Sequence, residues 1–427
     1  MINRFLEWLA PRNPWLMLLP ALALYLFLAA TLTSHDALVR DEVRYWGFAD
    51  NLLHGHFHFK EGDNFLWSGP GYPVVLMPFV ALDAPLILPK LFNAVLYYIA
   101  MGLFFQLAGL YFSRKKAWLA TLVMVAYYVP WVECFSDIMT ESLTLCLMIG
   151  TAYLFCRNMQ QGRLGWRDML APGVLLMWLM LTKVLFGYVV LVTLLVLAAR
   201  YFLSGREAKV GGSLRFFALG MAFCLPYLLY TYSLTSKVFY WGNSGGTQLY
   251  WMSSPYPDEL GDWHVASLQE HPSLETNHRA FFESIRHLDP VAKDDAFKRK
   301  ALENIRQHPA KFIKNWAMNI TRTLFSHPLS FLKPSLGVFK YVLPHAFLLV
   351  LGAFFVWPTI RRHRLWPTEM LVLLVFCGIY LAGTSLLASY ARFFFPVVPI
   401  LVIWLGYGLD RFVRVRFAAP EGREVAP

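Results

Sequence analysis

The sequence predicts an all-α polytopic membrane protein with about ten transmembrane helices, and three observations support that prediction. Of the 427 residues, 57% are hydrophobic and only 15% are charged, whereas a soluble domain has about 25% charged residues. Apolar runs close to the length that a spanning helix needs recur along the chain. The connections between these runs are alternately basic and acidic. The excess of apolar residues therefore faces lipid.

The first predicted span is the apolar run 15–33, which follows a basic flank at Arg4 and Arg12. A cleavable signal peptide is the competing interpretation, but the run is long for one and no Ala-x-Ala site follows it. The other predicted spans share the same apolar character. They are 90–112, 117–133, 139–156, 169–182, 184–203, 214–234, 338–357, 367–387 and 394–410.

The distribution of charge orients these spans. Lys and Arg collect in cytoplasmic loops of membrane proteins, and here they cluster at 114–116, 157–167, 200–215, 361–364 and 411–416. We therefore predict that both termini are cytoplasmic. The short connections on the other side contain acidic residues, namely Asp36, Asp41, Glu42, Asp137 and Glu141.

The chain divides into three predicted regions. Residues 1–235 form a membrane domain, and its segment 34–88 is predicted to lie outside and dip into the membrane because prolines interrupt its apolar run. Residues 236–336 form a mainly helical outer domain, and 337–427 comprise the last spans and a basic tail. Within the outer domain, the periodicity of 301–325 predicts a helix along the membrane surface, with a basic edge formed by Lys311, Lys314 and Arg322.

The net charge of +11 does not indicate a nucleic-acid partner, because basic cytoplasmic loops account for it and no nucleic-acid-binding motif accompanies it. The five cysteines are scattered and form no CxxC pair. Neither a zinc site nor a disulfide framework is therefore predicted.

A carboxylate pair follows the first span, at Asp41 and Glu42. Apolar residues follow this pair at helical spacing, which predicts an amphipathic helix at the outer interface. Acidic residues near a helix N-terminus are stabilised by the helix dipole, so a purely structural role is one interpretation. The other is a general base held at the boundary between water and lipid.

A second acidic pair, Asp137 and Glu141, lies between the third and fourth predicted spans. The spacing of four places both on one face of a helix. Asp137 could simply favour the first turn of that helix. Glu141 lies at the membrane boundary, where an ionisable residue is costly and usually functional.

Two cations on the outer side, Lys183 and Arg392, belong to no cytoplasmic cluster. Snorkelling of a long side chain toward the interface is one explanation. An anion clamp is the other, because the planar guanidinium of arginine binds two phosphate oxygens at once.

The order of these motifs resembles the GT-C class of membrane glycosyltransferases. The likeness is to the bacterial relatives of protein O-mannosyltransferases and of the lipid A aminoarabinose transferase. The resemblance rests on five motifs, which are Asp41-Glu42-Val43-Arg44-Tyr45, the segment 67–73, the outer acids Asp137 and Glu141, Leu181-Thr182-Lys183, and Arg392 to Pro396. A Glu-Lys-Pro-Pro-like stretch of those relatives is replaced here by Ser68-Gly69-Pro70-Gly71. This departure shifts the predicted phosphate contact toward Lys183 and Arg392.

The resemblance implies a GT-C-like fold and an enzyme that transfers a sugar from a polyprenyl-phosphate donor, with inversion, to an envelope glycan, lipid or protein. It implies catalytic roles for Asp41 and Glu42, and phosphate binding by Lys183, Arg392 and Arg44. Asp137, Glu141 and Tyr45 would orient the acceptor or a divalent cation, Mg²⁺ or Mn²⁺. The location implied is the bacterial inner membrane, with the site facing the periplasm.

Two other classes of function are compatible with the sequence. The first is a transporter or flippase of a lipid-linked sugar, which would need charged or broken helices at the bilayer midplane. The second is a non-catalytic membrane assembly partner whose outer domain binds protein. A cavity that joins Asp41, Lys183 and Arg392 would favour the enzyme.

Overall fold

A computed structural model of the protein describes residues 2–32, 37–58, 65–131, 133–203, 205–264, 268 and 270–413, without the side chains of 2, 133 and 135. The acidic residue Asp36 and the end of the basic tail lie outside the described residues. The described part of the chain contains helices and no β-strand, so the prediction of an all-α protein is confirmed.

Helices long and apolar enough to cross a membrane confirm a multi-pass membrane protein. They are α6 (Ile87–Gly109), α11 (Leu185–Leu203), α18 (Phe339–Arg361), α19 (Thr368–Ser385) and α20 (Val398–Phe412), the last together with the 3₁₀ turns that lead into it from Ala391. A sixth span would be the pair α12 (Ala208–Phe223) and α13 (Leu225–Thr235), which is bent by 44°. Among the described residues, length and composition therefore support up to six of the predicted spans.

The remaining predicted spans coincide with helices that are shorter or more polar. These are α3 (Leu19–Thr31), α7 (Arg114–Tyr128), α9 (Glu141–Gln160) and α10 (Leu170–Thr182). At the N-terminus, two short helices precede them, α1 (Ile2–Leu9) and α2 (Pro14–Met17). Pro14 at the first position and the Asn13 side chain, which accepts a hydrogen bond from the Trp15 amide, start α2.

The described part of the segment 34–88, residues 37–58 and 65–88, contains two short helices rather than a span of its own. They are α4 (Asp41–Leu53) and α5 (Gly71–Ala81). With 11 residues, α5 is about 16 Å long, about half of the hydrocarbon thickness of a bilayer. The backbone turns sharply at Asp83, whose φ is +46°. Length alone therefore favours a dip into the membrane over a crossing.

Two glycines let this segment lie directly against the end of α10. A Cβ atom on Gly69 would be 2.1 Å from the Leu181 carbonyl oxygen, and one on Gly71 would be 2.5 Å from the Thr182 amide nitrogen. The Trp178 indole donates a hydrogen bond to the Gly71 carbonyl at 2.8 Å. The Gly-Pro-Gly sequence therefore serves close backbone packing, which brings residue 68 beside residue 183.

The outer domain is helical, as its sequence predicts. Its helices are α14 (Gly245–Met252), α15 (Pro272–Ser284), α16 (Pro290–Gln307) and α17 (Pro309–Phe325). Asp289 caps α16 by accepting hydrogen bonds from the Val291 and Ala292 amides. The helix predicted over 301–325 is divided at Pro309. This residue begins α17, because proline fits the first turn of a helix and not its interior.

The exposed face of α17 is apolar at Ile313, Trp316 and Ile320, as expected for a helix at a membrane surface. The predicted basic edge is wrong at Arg322, whose side chain is fully buried. Its guanidinium donates hydrogen bonds to the carbonyls of Leu260, Gly261 and Pro328. Arg322 faces inward because these loop carbonyls have no helical partner and need a donor.

Asn319 of α17 joins the outer domain to the loop after α19. Its amide nitrogen donates to the Ser385 carbonyl at 2.8 Å and to the Leu387 carbonyl at 2.6 Å, and its oxygen accepts from the Ser389 amide at 3.1 Å. This loop leads into a 3₁₀ turn at Ala391–Phe393. The buried ring of Phe395 then packs against Tyr128, with ring centroids 4.4 Å apart. The backbone around residue 392 is therefore held from both sides.

The contact between Gly69 and α10 gives a test of the fold. We expect Gly69→Ala to lower the free energy of unfolding by about 1–3 kcal/mol, because the facing atom is a backbone carbonyl that cannot rotate away. The measurement is thermal unfolding of the purified protein in detergent. The matched control is Gly109→Ala, where a Cβ atom meets nothing within 4 Å. Equal thermal stability of the two variants would contradict this role for Gly69.

Candidate functional site

Asp41 is the first residue of α4 and lines a cavity beside the start of α9 and the end of α10. Arg44, one turn further along the helix, donates to the Asp41 carboxylate at 2.8 Å. The Nε atom of Arg44 also donates to the Ser68 hydroxyl at 3.2 Å. Arg44 therefore connects the start of α4 with the segment that packs against α10 at Gly69 and Gly71.

Glu141 is the first residue of α9 and is almost fully buried. Its Oε1 atom lies 2.9 Å from the Lys183 ammonium. Lys183 leaves the end of α10 with an extended backbone, φ −127° and ψ 101°. That conformation ends the helix and directs the chain into α11. Lys183 of the Leu-Thr-Lys sequence thus contacts Glu141, the acid between the third and fourth predicted spans.

Arg392 lies between the two carboxylates. Its Nη2 atom is 3.4 Å from Asp41 Oδ2, and its Nε atom is 3.9 Å from Glu141 Oε1. The structure therefore brings together residues 41, 141 and 392, which are far apart in the sequence. Arg44 and Lys183 complete a continuous ionic network, which we call the five-charge network.

A cavity of about 210 Å³ lies over this network. Its charged lining consists of the five members of the network, three cations and two carboxylates, which leaves a net charge of +1. Its neutral polar lining includes Ser68, Thr140, Ser244, Gln248, Thr384 and Ser389. Aromatic side chains contribute as well, among them Tyr45, Trp67, Tyr188, Trp241 and Tyr380. The cavity thus combines an excess of positive charge with groups suited to bind hydroxyls.

The pKa of Asp41 reflects this surrounding. Burial raises the pKa of the carboxyl, but the guanidinium groups of Arg44 and Arg392 outweigh burial and hold the pKa below its ordinary value. Asp41 is therefore charged at neutral pH and can accept a proton. It is also a weaker base than an isolated aspartate, because both cations favour its charged form.

Glu42 does not line the cavity, although the sequence offers it as the alternative base. Its side chain is buried, and its two oxygens accept hydrogen bonds from the Val39 amide at 3.0 Å and the Ile138 amide at 2.8 Å. The Lys90 ammonium, also fully buried, lies 3.9 Å away. Glu42 therefore holds the start of α4 to the turn before α9, and thereby positions Asp41 and Glu141 relative to each other.

The prediction that Asp137 and Glu141 share a helix face is wrong. Residues 137–140 form a turn between α8 (Glu133–Ser136) and α9, so the helix begins only at Glu141. The Asp137 carboxylate accepts a hydrogen bond from the Ser136 hydroxyl at 3.3 Å, and its backbone carbonyl accepts one from Asn93. Asp137 is not among the residues that line the cavity, whereas Tyr45 is.

Sequence reasoning missed the wall that the outer domain contributes, residues 241–248. Leu66 and Asn243 exchange hydrogen bonds at 3.0 and 3.1 Å, which pairs this wall with the segment before the Gly-Pro-Gly turn. A Cβ atom on Gly246 would be 2.1 Å from the Asp294 carbonyl oxygen. The glycine-rich stretch 242–246, eight residues after the predicted span 214–234, was the available signal, because such glycines often mark close backbone approaches.

The described residues contain no dedicated set of metal ligands. Among the described residues, no group of three or more His, Cys, Asp or Glu side chains could hold a metal ion. The two cavity carboxylates contact Arg44, Arg392 and Lys183 instead. These residues do not fit a metal site built from protein ligands alone, and the predicted Mg²⁺ or Mn²⁺ stays a prediction.

No protein-family model matches the sequence, and no curated protein matches it. Among solved structures, the chain is similar to the archaeal oligosaccharyltransferase AglB from Archaeoglobus fulgidus in complex with an inhibitory peptide and a dolichol-phosphate. The TM-score is 0.49 and the sequence identity 11%, and the match covers 92% of this chain and 50% of AglB. The chain thus spans about half the length of that protein. The geometry of the cavity is therefore the basis for the activity that we propose for this chain.

The buried pair of Glu42 and Lys90 can be tested by a double-mutant cycle. We expect Glu42→Gln to lower the free energy of unfolding by about 3–5 kcal/mol, because it leaves a fully buried ammonium without its carboxylate. Adding Lys90→Met should restore part of that stability, since it removes the unpaired charge. The measurement is thermal unfolding of the two single variants and the double variant in detergent. Additive losses of stability would show that the two side chains do not interact.

Proposed function

We propose that this protein is a membrane glycosyltransferase. It moves a sugar from a polyprenyl-phosphate donor to a hydroxyl of an envelope glycan, lipid or protein at the outer face of the membrane. The observation that carries the proposal is the cavity whose lining combines the ionised carboxylate of Asp41 with three cations, two of which contact that carboxylate. A base for the acceptor and positive charge for a phosphate leaving group are the two requirements of such a transfer.

The charge of the cavity supports a donor with a single phosphate. A sugar linked through one phosphate to a prenyl chain is a phosphodiester with one negative charge, which matches the net charge of +1 of the lining. A diphosphate-linked donor would leave one negative charge without a partner, and an uncompensated charge in a partly buried site is costly. Arg392 and Lys183, with Arg44 beside them, are the phosphate-binding candidates.

The lipid part of the donor has a route into the cavity along α11. Val184, Leu185 and Tyr188 line the cavity at the outer end of this helix. Further along it, Val192 and Leu195 are 43% and 62% exposed and continue the same apolar side. A prenyl chain that lies on this side would stay in the lipid while its phosphate reaches Lys183.

The proposed transfer is a single displacement with inversion at the anomeric carbon. Asp41 takes the proton of the acceptor hydroxyl, and the acceptor oxygen forms a bond to the anomeric carbon. The bond between that carbon and the phosphate oxygen breaks, and its electron pair stays on the phosphate. Polyprenyl phosphate leaves, and Asp41 later passes its proton to water. The cations stabilise the charge that develops on the leaving phosphate.

The change of charge during this reaction fits the lining of the cavity. The leaving phosphate monoester has a charge of about −1.5 to −2, more than the single charge of the donor. At the same time, Asp41 becomes neutral by accepting the proton. The total charge of the cavity and its contents therefore stays near zero from the donor complex to the product complex.

Glu141 and Tyr45 are placed to orient the acceptor. Glu141 lies beside Lys183, and the Tyr45 ring borders the cavity next to Asp41. The neutral groups of the opposite wall, including Gln248 and Ser244, are suited to sugar hydroxyls. An acceptor role for Asp137 stays a prediction, because this residue lies outside the cavity lining. We place the enzyme in the bacterial inner membrane, with both termini cytoplasmic and the cavity toward the periplasm.

Replacement of the proposed base is the direct test. We expect Asp41→Asn to lower kcat by at least about 100-fold, because asparagine cannot accept the acceptor proton. The measurement is transfer of radiolabelled sugar from undecaprenyl-phosphate donors carrying either a neutral hexose or aminoarabinose, in membranes that contain the protein. Asp50→Asn is the matched control, because Asp50 lies on the same helix and its side chain is 53% exposed. Full activity of Asp41→Asn would rule out this base.

The acceptor can be identified in cells. We expect mass spectrometry of envelope glycolipids and glycoproteins to show one sugar that is absent from cells lacking the protein. The same sugar should be absent when Asp41→Asn is the only copy, and present with Asp50→Asn. If instead the lipid-linked sugar changes its side of the membrane and no envelope glycan changes, the protein would be a transporter rather than a transferase.

A further inference from the structure

Arg392 differs from the other two cations of the five-charge network in how tightly it binds. Arg44 and Lys183 approach their carboxylates at 2.8 and 2.9 Å, the usual length of a charge-assisted hydrogen bond. Arg392 approaches Asp41 only to 3.4 Å and Glu141 only to 3.9 Å. It is therefore the cation of the network with the weakest attachment to the protein.

The surroundings of Arg392 let its side chain move while its backbone stays fixed. The flanking residues Ala391, Phe394 and Phe395 are buried, and the loop before them is bonded to Asn319. The Arg392 side chain is 33% exposed. Its guanidinium has five N–H donors, and Asp41 is its one described hydrogen-bond partner. A phosphate in the cavity would therefore offer Arg392 better hydrogen-bond acceptors than it has when no sugar donor is bound.

We propose that donor binding exchanges the partner of Arg392, which leaves the Asp41 carboxylate and binds the donor phosphate. This inference rests on the proposed function and adds an order of events to it. Without donor, Arg392 covers one oxygen of Asp41 and weakens it as a base. With donor, that oxygen is released toward the acceptor hydroxyl.

The electrostatics around Asp41 support this exchange. The charged and titratable groups that face Asp41 are Arg44 and Tyr45 on its own helix, Arg392 in the 3₁₀ turn, and Glu141 with its partner Lys183. Arg392 is one of only two cations in this group that contact Asp41 directly, in the described part of the chain. Its departure, together with the arrival of a negative phosphate, increases the proton affinity of Asp41.

The consequence is that Asp41 becomes an effective base only when a donor is present. The acceptor hydroxyl then loses its proton to Asp41 in the same complex in which the phosphate can leave. Arg392 is thus both a phosphate ligand and the group that regulates the base. Lys183 and Arg44 keep their carboxylates paired, so the network does not collapse when Arg392 moves.

The exchange predicts that a phosphodiester binds together with a proton. The probe is methyl undecaprenyl phosphate, which has one negative charge and no sugar, added to the full-length protein in detergent. Proton uptake is measured by isothermal titration calorimetry in buffers of different ionisation enthalpy at about pH 4.5, close to the ordinary pKa of aspartate. We expect uptake of a measurable fraction of a proton by the wild-type protein and by Asp50→Asn.

Three variants test which residue takes up the proton and whether Arg392 controls the uptake. Asp41→Asn should lose most of the uptake, and Arg392→Gln should bind the probe more weakly and take up less than half of the wild-type fraction. Arg392→Lys keeps the charge but lacks the guanidinium fork, and it should restore part of the uptake. Equal uptake in the wild type and Arg392→Gln, or undiminished uptake in Asp41→Asn, would overturn the exchange. Failure of the probe to bind at all would instead contradict the proposed donor class.

Discussion

The contacts of Arg392 with Asp41 and Glu141 are the interaction on which the rest of the site depends. They join three parts of the chain that the sequence keeps apart, namely the start of α4, the start of α9 and the turn before α20. Each part contributes one charge, and a buried charge without a partner is costly. The cavity therefore forms only where all three elements meet.

Close packing of the backbone makes that arrangement possible. Gly69 and Gly71 let the segment after α4 touch the end of α10, which brings Ser68 and its partner Arg44 beside Lys183. On the opposite side, Asn319 holds the loop that leads to Arg392. The outer domain is therefore part of the site rather than an attachment to it. It closes the cavity with residues 241–248 and anchors the loop that positions the arginine.

The adjacent acids Asp41 and Glu42 show how far sequence reasoning reaches. Their pattern correctly indicates a helix with carboxylates at its start, but it treats the two acids as near equivalents. In the folded chain, successive helical residues point about 100° apart, so only one of them reaches the cavity. Glu42 binds backbone amides and faces Lys90 inside the protein. A similar limit applies to Asp137, because a turn replaces the helix that its spacing from Glu141 suggests.

The multi-pass membrane character, the helical class and the charged residues that line the cavity could be predicted from the amino-acid sequence, whereas the basic and acidic sides of the membrane stay predictions. These properties depend on composition and local periodicity, which a linear chain displays directly. Which charges meet is set by tertiary packing, because the residues of these pairs are 42 to 351 positions apart in the sequence. It paired Lys183 with Glu141, turned Arg322 inward, and left Arg392 loosely shared between two acids. In the proposed mechanism, this loose contact gives the base at the start of α4 a movable partner.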